Sequence, residues 1–342
     1  MMFKLILAVI LHFFVICHAG TVLEKLAIMN GTVATEGQFP YQVGIQWTYG
    51  GSHFCGGSII NKRYILTAAH CIYNDPFENS KTSTSDNENF YYDNFSSKAL
   101  NYESSDSTLA NSNYENSDLE SSTSEGSGES NYEGKNEDDG ILDPKSIRIF
   151  VGANKLNDKN GIIYKVEKII KHKHFANHKF KSELADIALI RVTEDIVFND
   201  KVQPVKLASS ENKEDVLPVG ASVFIAGWGY TRKCLDFHEE YVNDLRMAKR
   251  TIYDFDKCQS EYLQDSLKKF EEPEIPPGIH QEVICSVGFQ YSCMGDSGSP
   301  VVDERGFQVG IVSFSEDLLP DVHTSVKFYS QWIAGNSIIT EK

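Results

Sequence analysis

The sequence predicts an all-β fold, either a sandwich or a barrel, because short apolar runs alternate with turn residues. Six runs are rich in β-branched residues and are separated by Gly, Pro, Asn and Asp; they span residues 41–47, 58–60, 147–151, 187–192, 222–226 and 308–313. Helical signals are confined to two segments. Asp254 or Asp256 can cap a helix through residues 258–262, and residues 328–339 are expected to form a C-terminal helix.

The N-terminal residues 1–19 have the pattern of a secretory signal peptide. Lys4 precedes an apolar stretch, residues 5–16, and Ala19 ends a small-residue cleavage signal. The alternative is a membrane anchor, but the stretch is short for a span and no other run reaches the length that a bilayer needs. We expect a secreted, extracellular protein without a membrane anchor. Removal of Cys17 then leaves six cysteines that can pair in an oxidising compartment.

Residues 79–140 differ in composition from the rest of the chain. These 62 residues contain 15 Ser and 10 Asn, lack Ile, Val, Trp and Cys, and carry a net charge of −11. Such a segment buries too little apolar area to offset its chain entropy, so we expect a disordered surface insertion. It is either a solvated tether or a binding surface for a basic protein partner.

The overall charge of −16 argues against a nucleic-acid partner, since binding to phosphates needs clustered Lys and Arg. We expect no cofactor, because the sequence has no phosphate-binding loop. We also expect no metal, because no Cys/His spacing is typical of zinc sites. His172, His174 and His178 lack supporting ligands and are expected to lie in a solvated segment.

Three motifs carry the residue types that nucleophilic hydrolysis needs, namely a hydroxyl, an imidazole and a carboxylate. They are LTAAHC at residues 66–71, ADIALI at residues 185–190 and CMGDSGSP at residues 293–300. In these motifs and in their order along the chain, the sequence resembles the chymotrypsin/trypsin-like serine peptidases. The resemblance runs from Ile28 to about residue 340 and is interrupted by the acidic insertion.

This resemblance implies two packed six-stranded antiparallel β-barrels with a C-terminal helix. The peptidase domain would span residues 28–342, with the first barrel at about 28–205 and the second at about 206–342. The implied enzyme is a monomeric serine endopeptidase that acts on proteins or peptides through an acyl-enzyme. The implied groups are a Ser297 nucleophile, a His70 base, an orienting Asp186 and an oxyanion hole formed by the N–H groups of Gly295 and Ser297.

The resemblance also implies the disulfides Cys55–Cys71 and Cys258–Cys285. The family usually joins the cysteine at Cys293 to one shortly after Ser313, and this sequence has none there. We therefore expect a non-standard Cys234–Cys293 bridge, with two free thiols as the alternative.

Family members are made as zymogens and are activated by release of an N-terminus. Here Ile28 would be released and its ammonium would pair with Asp296. Because Ala27 precedes Ile28, we expect a propeptide at residues 20–27, removed by a protease that cuts after a small residue; alternatively, the chain is never activated.

The alternative function is an inactive homologue that acts as a protein-binding cofactor. Ala27, Asn30, Tyr291 and Ser299 depart from the family pattern and keep that alternative open.

The specificity pocket implied by the resemblance is formed by Tyr291, Ser313, Ser315 and Asp321. Tyr291 replaces the Asp of trypsin-like members at the base of the pocket. Asp321 could still receive Lys or Arg, or it could accept the Tyr291 hydroxyl and leave a shallow neutral pocket. Both a basic preference and an apolar or small preference remain open. The sequons at Asn30 and Asn94 predict N-glycosylation.

Overall fold

The computed structural model describes residues 31–73, 140–175, 185–212, 216–230, 242–269, 279–316 and 318–339. The predicted signal peptide and propeptide lie outside the described residues, as does the acidic insertion apart from Gly140. The boundaries of these segments stay predictions, and so do those of the barrels. Within the described ranges, no helix is long and apolar enough to cross a membrane.

The described residues contain fourteen strands, two α-helices and two single-turn 3-10 helices. The 3-10 helices are His70–Ile72 and Pro144–Ser146. The other elements are β1 (Thr32–Val33), β2 (Gln42–Trp47), β3 (His53–Ile59), β4 (Tyr64–Thr67), β5 (Ile147–Val151), β6 (Ile162–Lys171), β7 (Ala188–Val192), β8 (Lys206–Leu207), β9 (Ser222–Gly227), β10 (Arg246–Ile252), α1 (Phe255–Lys269), β11 (Val283–Val287), β12 (Pro300–Asp303), β13 (Phe307–Phe314), β14 (Asp321–Ser325) and α2 (Ser330–Asn336).

The first barrel closes in the strand order β2-β3-β4-β7-β6-β5, with antiparallel pairs throughout. Successive side chains of a strand point to opposite faces, and β6 shows this by burying Tyr164, Val166 and Ile169 between exposed residues. Ile45 and Ile149, paired across β2 and β5, are fully buried. The interior is therefore filled with β-branched and aromatic side chains.

The second barrel closes in the order β9-β10-β11-β14-β13-β12 and returns to β9. β1 adds to β10 outside this ring, and β8 runs parallel to β13. The inward face of β10 is unusual, because the alternation that buries Ala248 and Ile252 also buries Arg246 and Arg250. The two predicted six-stranded barrels are thus confirmed, and the second one contains buried guanidinium groups.

Both predicted helices are present. Asp254 is the residue that caps α1, because its Oδ1 accepts a hydrogen bond from the Lys257 N–H at 3.0 Å. The C-terminal helix is shorter than the predicted residues 328–339, since α2 ends at Asn336. Its Ile333 packs into the core of the first barrel, so this helix ties the C-terminus to that barrel.

The expectation that His172 lies in solvent is wrong. His172 is 8% exposed, and its ring centroid lies 5.2 Å from those of Tyr329 and Trp332, next to α2. Burial lowers the pKa of His172 to about 4, and the nearby His174 and Lys173 act in the same direction. His172 is therefore a neutral packing residue, while His178 lies outside the described residues.

Candidate active site

His70 lies at the end of a rigid segment of the first barrel. The chain leaves β4, whose four residues are all buried, and His70 opens a 3-10 helix three residues later. The Cys55–Cys71 disulfide joins this helix to β3. The imidazole keeps 29% of its surface exposed. The backbone at His70 is thus fixed by β4 and by the disulfide, while the ring stays partly exposed.

Asp186 lies two residues before β7 and is 4% exposed. Its Oδ2 lies 2.8 Å from His70 Nδ1 and accepts a hydrogen bond from Ser313 Oγ at 2.6 Å. Its Oδ1 accepts the backbone N–H of His70 at 2.9 Å. An ionised carboxylate can only accept, so Nδ1 carries the proton and the lone pair of the neutral ring lies on Nε2.

Burial alone would raise the pKa of Asp186. Attraction to the protonated form of His70, together with hydrogen bonds from the His70 ring, the Ser313 hydroxyl and the His70 backbone, outweighs that effect, so the pKa of Asp186 lies below its usual range. Asp186 is therefore ionised at neutral pH. Ser313, which the resemblance places in the specificity pocket, also has a direct role in holding this carboxylate.

Ser297 lies in the loop that precedes β12, and this loop packs against the strands that lead to His70. The Ser297 carbonyl accepts the Gly56 N–H at 2.7 Å. A β-carbon on Gly298 would lie 2.2 Å from Thr67 Oγ1 and 2.5 Å from the Gly56 carbonyl oxygen. Only glycine permits such a close approach together with the φ of +80° at Gly298. The half-buried Ser297 therefore lies in a loop that packs against β3 and β4, the two strands that precede His70 in the chain.

The loop also presents two backbone donors. Gly295 has a φ of +93°, and its carbonyl lies 2.9 Å from Nε2 of the buried His53. The preceding carbonyl, on Met294, accepts the Tyr230 N–H at 2.9 Å. In the described part of the chain, the N–H groups of Gly295 and Ser297 donate to no protein acceptor. Both are therefore available to an oxyanion, and the oxyanion hole at Gly295 and Ser297 stays a prediction.

Asp296 is completely buried beneath this loop. Its Oδ1 accepts the Gly229 N–H at 2.8 Å and its Oδ2 accepts the Cys293 N–H at 3.0 Å. Gly227 and Gly229 leave room for it, since a β-carbon there would lie 2.1 Å and 2.5 Å from its carboxyl atoms. Burial raises the pKa of Asp296 to about 7, and the two backbone hydrogen bonds oppose this.

The structure places Asp321 next to a cation that the sequence analysis missed. Arg250 Nη2 lies 3.1 Å from Asp321 Oδ1, and the two side chains are 2% and 3% exposed. Asp321 Oδ2 accepts the N–H and the hydroxyl of Ser292 at 3.2 and 3.0 Å. Tyr291 is half-buried and Ser315 is exposed. The period-two alternation of β10, which assigns Arg250 to the same face as Ala248 and Ile252, is the signal that could have identified it.

The structure contains the Cys55–Cys71 and Cys258–Cys285 disulfides. Cys293 is also disulfide-bonded, but its proposed partner Cys234 lies outside the described residues. Among the described residues, one group of metal-type ligands occurs, namely Cys55, His70 and Cys71. Its two sulfur atoms are bonded to each other and so are unavailable as thiolates. Three other predicted residues lie outside the described ranges: Ile28, Asn30 and Asn94.

A family model described as trypsin matches residues 28–124 and 138–333 of this chain. The chain belongs to the trypsin family. As a member, it is similar to the clotting factor G beta subunit of Tachypleus tridentatus, with 27% identity over 90% of this chain and 78% of that protein. It is similar to chymotrypsin-2 of Vespa crabro, with 26% identity over 91% of this chain and 100% of that protein.

Among solved structures, the mouse-brain serine protease neuropsin has the same fold. It aligns with a TM-score of 0.58 at 22% identity, over 91% of this chain and 100% of neuropsin. The two-barrel architecture and membership of the trypsin-like serine protease family, both predicted from the sequence motifs, are thus confirmed. Protein substrates follow from this membership.

Proposed function

We propose that this chain is a secreted serine endopeptidase that cleaves peptide bonds through an acyl-enzyme on Ser297. The observation that carries the proposal is the His70–Asp186 pair, in which a buried, ionised carboxylate fixes the imidazole through its ring and its backbone. Trypsin-family membership supports the same reading.

Each residue would then have a role that its position allows. His70 takes the proton of Ser297 as the hydroxyl attacks the scissile carbonyl, and later gives it to the leaving amine. Asp186 keeps the proton on Nδ1 and stabilises the imidazolium that forms. The N–H groups of Gly295 and Ser297 bind the oxyanion, and each such donor typically contributes about 2.7–4 kcal/mol to transition-state stabilisation.

The proposal includes synthesis as a zymogen. A protease that cuts after Ala27 would release the Ile28 ammonium, which would pair with Asp296 and order the Ser297 loop. The buried, glycine-lined site of Asp296 supports this step, because an ionised carboxylate there needs a cationic partner. N-glycosylation at Asn30 and Asn94 and a basic protein partner of residues 79–140 also belong to the proposal and rest on sequence alone.

Labelling with a serine-directed phosphonate tests the function. The full chain would be secreted with a specific protease site placed directly before Ile28, cleaved, labelled and mapped by mass spectrometry. We expect the label on Ser297, and we expect its loss in Ser297→Ala and His70→Ala variants that secrete and fold normally. If the cleaved wild-type protein is not labelled, the inactive, protein-binding homologue is the better reading.

A further inference from the structure

Asp321, one of the residues of the proposed specificity pocket, belongs to a buried polar network. Asp321 is buried, and both of its carboxylate oxygens are engaged, one by Arg250 and the other by the N–H and hydroxyl of Ser292. Ser292 adjoins Tyr291 at the base of the pocket. The carboxylate that could attract a cationic substrate is therefore already paired within the protein.

All three nitrogen atoms of the Arg250 guanidinium donate hydrogen bonds to the protein. Its Nη2 donates to the Ser286 carbonyl at 2.9 Å, and its Nε donates to the Ser286 hydroxyl at 3.2 Å. Its Nη1 donates to the Gly288 carbonyl at 3.2 Å and to the Gln290 carbonyl. A side chain with this many acceptors is fixed in place, so it is not expected to swing away when a substrate arrives.

We propose that Arg250 is a specificity-determining residue. Its guanidinium neutralises the buried Asp321 carboxylate, so the pocket prefers substrates with an uncharged side chain before the scissile bond. This inference rests on the proposed peptidase function. It decides between the two preferences that the sequence left open.

The electrostatic reason is direct. A substrate Lys or Arg would have to bury a second cation beside Arg250 without a free carboxylate to balance it. A substrate Asp or Glu would bring a second carboxylate next to Asp321. Arg250 already compensates the charge of Asp321, so it cannot fully balance this second one. An uncharged side chain loses little hydration on entering such a pocket and needs no counterion.

The test compares peptide amides that differ only in the residue before the scissile bond, with Leu, Phe, Arg or Glu there. For the wild-type protein cleaved before Ile28, we expect kcat/KM for Leu or Phe to exceed that for Arg by at least about tenfold. Arg250→Met leaves Asp321 without its cation, so the Arg/Leu ratio should rise about 10- to 100-fold. The ratio is insensitive to the fraction of folded enzyme.

Two further variants serve as controls. Lys249→Met removes an exposed cation from the same strand and should leave the Arg/Leu ratio unchanged. Arg250→Met combined with Asp321→Asn removes both charges and should abolish the gain for Arg. If Arg250→Met does not fold, Asp321→Asn alone remains informative, because the unpaired Arg250 should then raise the Glu/Leu ratio.

The outcomes separate this inference from the proposed function. If Ser297 is labelled but the wild-type protein prefers Arg before the scissile bond, the proposed role of Arg250 is wrong. The same holds if Ser297 is labelled and neither the Arg/Leu ratio nor the Glu/Leu ratio changes in the charge variants. Absence of labelling would overturn the peptidase. In that case, benzamidine, a small mimic of an Arg side chain, still probes the pocket by its thermal shift. It should bind more tightly to Arg250→Met than to the wild-type protein, and equal binding would count against the inference.

Discussion

The hydroxyl oxygen of Ser299 lies where a side chain on Gly56 would be: a β-carbon on Gly56 would come within 1.9 Å of it. Ser299 is completely buried, and its Oγ accepts a hydrogen bond from Gln42 Nε2 at 3.2 Å. The serine that replaces the usual glycine is therefore accommodated by the space above Gly56. The Ser297 loop keeps its hydrogen bond to the Gly56 N–H.

The first prediction concerns Gly56→Ala. The new methyl group would also lie 3.0 Å from the Ser299 β-carbon and 3.1 Å from its α-carbon, so the loop itself must move. We expect a loss of about 1–3 kcal/mol in the free energy of unfolding, measured by urea denaturation, and reduced peptidase activity.

A rescue and a control make the Gly56 prediction specific. Adding Ser299→Gly to Gly56→Ala should recover part of the loss, because the overlapping hydroxyl is gone. Gly335→Ala is the control, since nothing lies within 4 Å of the new methyl group there, and it should not destabilise the protein. Equal stabilities of Gly56→Ala and Gly335→Ala would contradict the close packing of Ser299.

The second prediction concerns Ser313→Ala. The Ser313 hydroxyl donates to Asp186 Oδ2, the oxygen that also faces His70 Nδ1. Its loss should raise the pKa of Asp186 and loosen the imidazole, so we expect kcat to fall about tenfold with KM nearly unchanged. Thr324→Val is the matched control, because Thr324 donates to the backbone carbonyl of Asp186 rather than to its carboxylate. If both variants lose kcat equally, Ser313 is not a positioning residue.

The third prediction concerns Cys293, which is disulfide-bonded. Its N–H donates to Asp296 and its carbonyl accepts the Asp296 N–H, so a bridge at Cys293 steadies the segment that leads to Ser297. We expect non-reducing peptide mapping to find Cys293 linked to Cys234. Cys234→Ser should expose a Cys293 thiol to alkylation and cost about 2–4 kcal/mol of stability. Alkylation of either cysteine in the untreated wild-type protein would rule out the bridge.

The sequence predicted the barrels well because strand patterns and active-site motifs are local. The predicted runs 147–151 and 222–226 match β5 and β9 closely. Contacts between residues that lie far apart in the sequence were harder to predict from it. Nothing near Asp321 in the sequence points to Arg250, since the pair forms only when β10 and β14 join the same barrel. Likewise, His172 resembled a solvated residue because its aromatic neighbours, Tyr329 and Trp332, come from the C-terminal segment.

The last prediction concerns the pH dependence of the uncleaved precursor. A carboxyl group has a pKa near 3.9 in the unfolded chain, whereas that of Asp296 is about 7 in the folded chain. Between these values the folded protein holds a proton that the unfolded chain has released. Asp296 therefore contributes fully to the free energy of unfolding below about pH 4. This contribution, about 4 kcal/mol, is lost as the pH rises from about 4 through about 7.

The buried His53 works in the opposite direction. Burial lowers its pKa to about 4, so it stabilises the fold above the ordinary histidine pKa and loses that contribution as the pH falls from about 6.5 to 4. Burial also lowers the pKa of His172 to about 4 and that of His323 to about 3, and both act in the same direction as His53, so the wild-type curve alone does not isolate Asp296. The test therefore compares Asp296→Asn with the wild type, both in a Ser297→Ala background to prevent self-cleavage, by urea unfolding from pH 4 to 8. We expect the wild type to lose stability relative to Asp296→Asn as the pH rises. Cleavage before Ile28 should remove this trend, because the new ammonium would hold Asp296 ionised. Parallel stability curves for the two precursors would contradict a protonated Asp296.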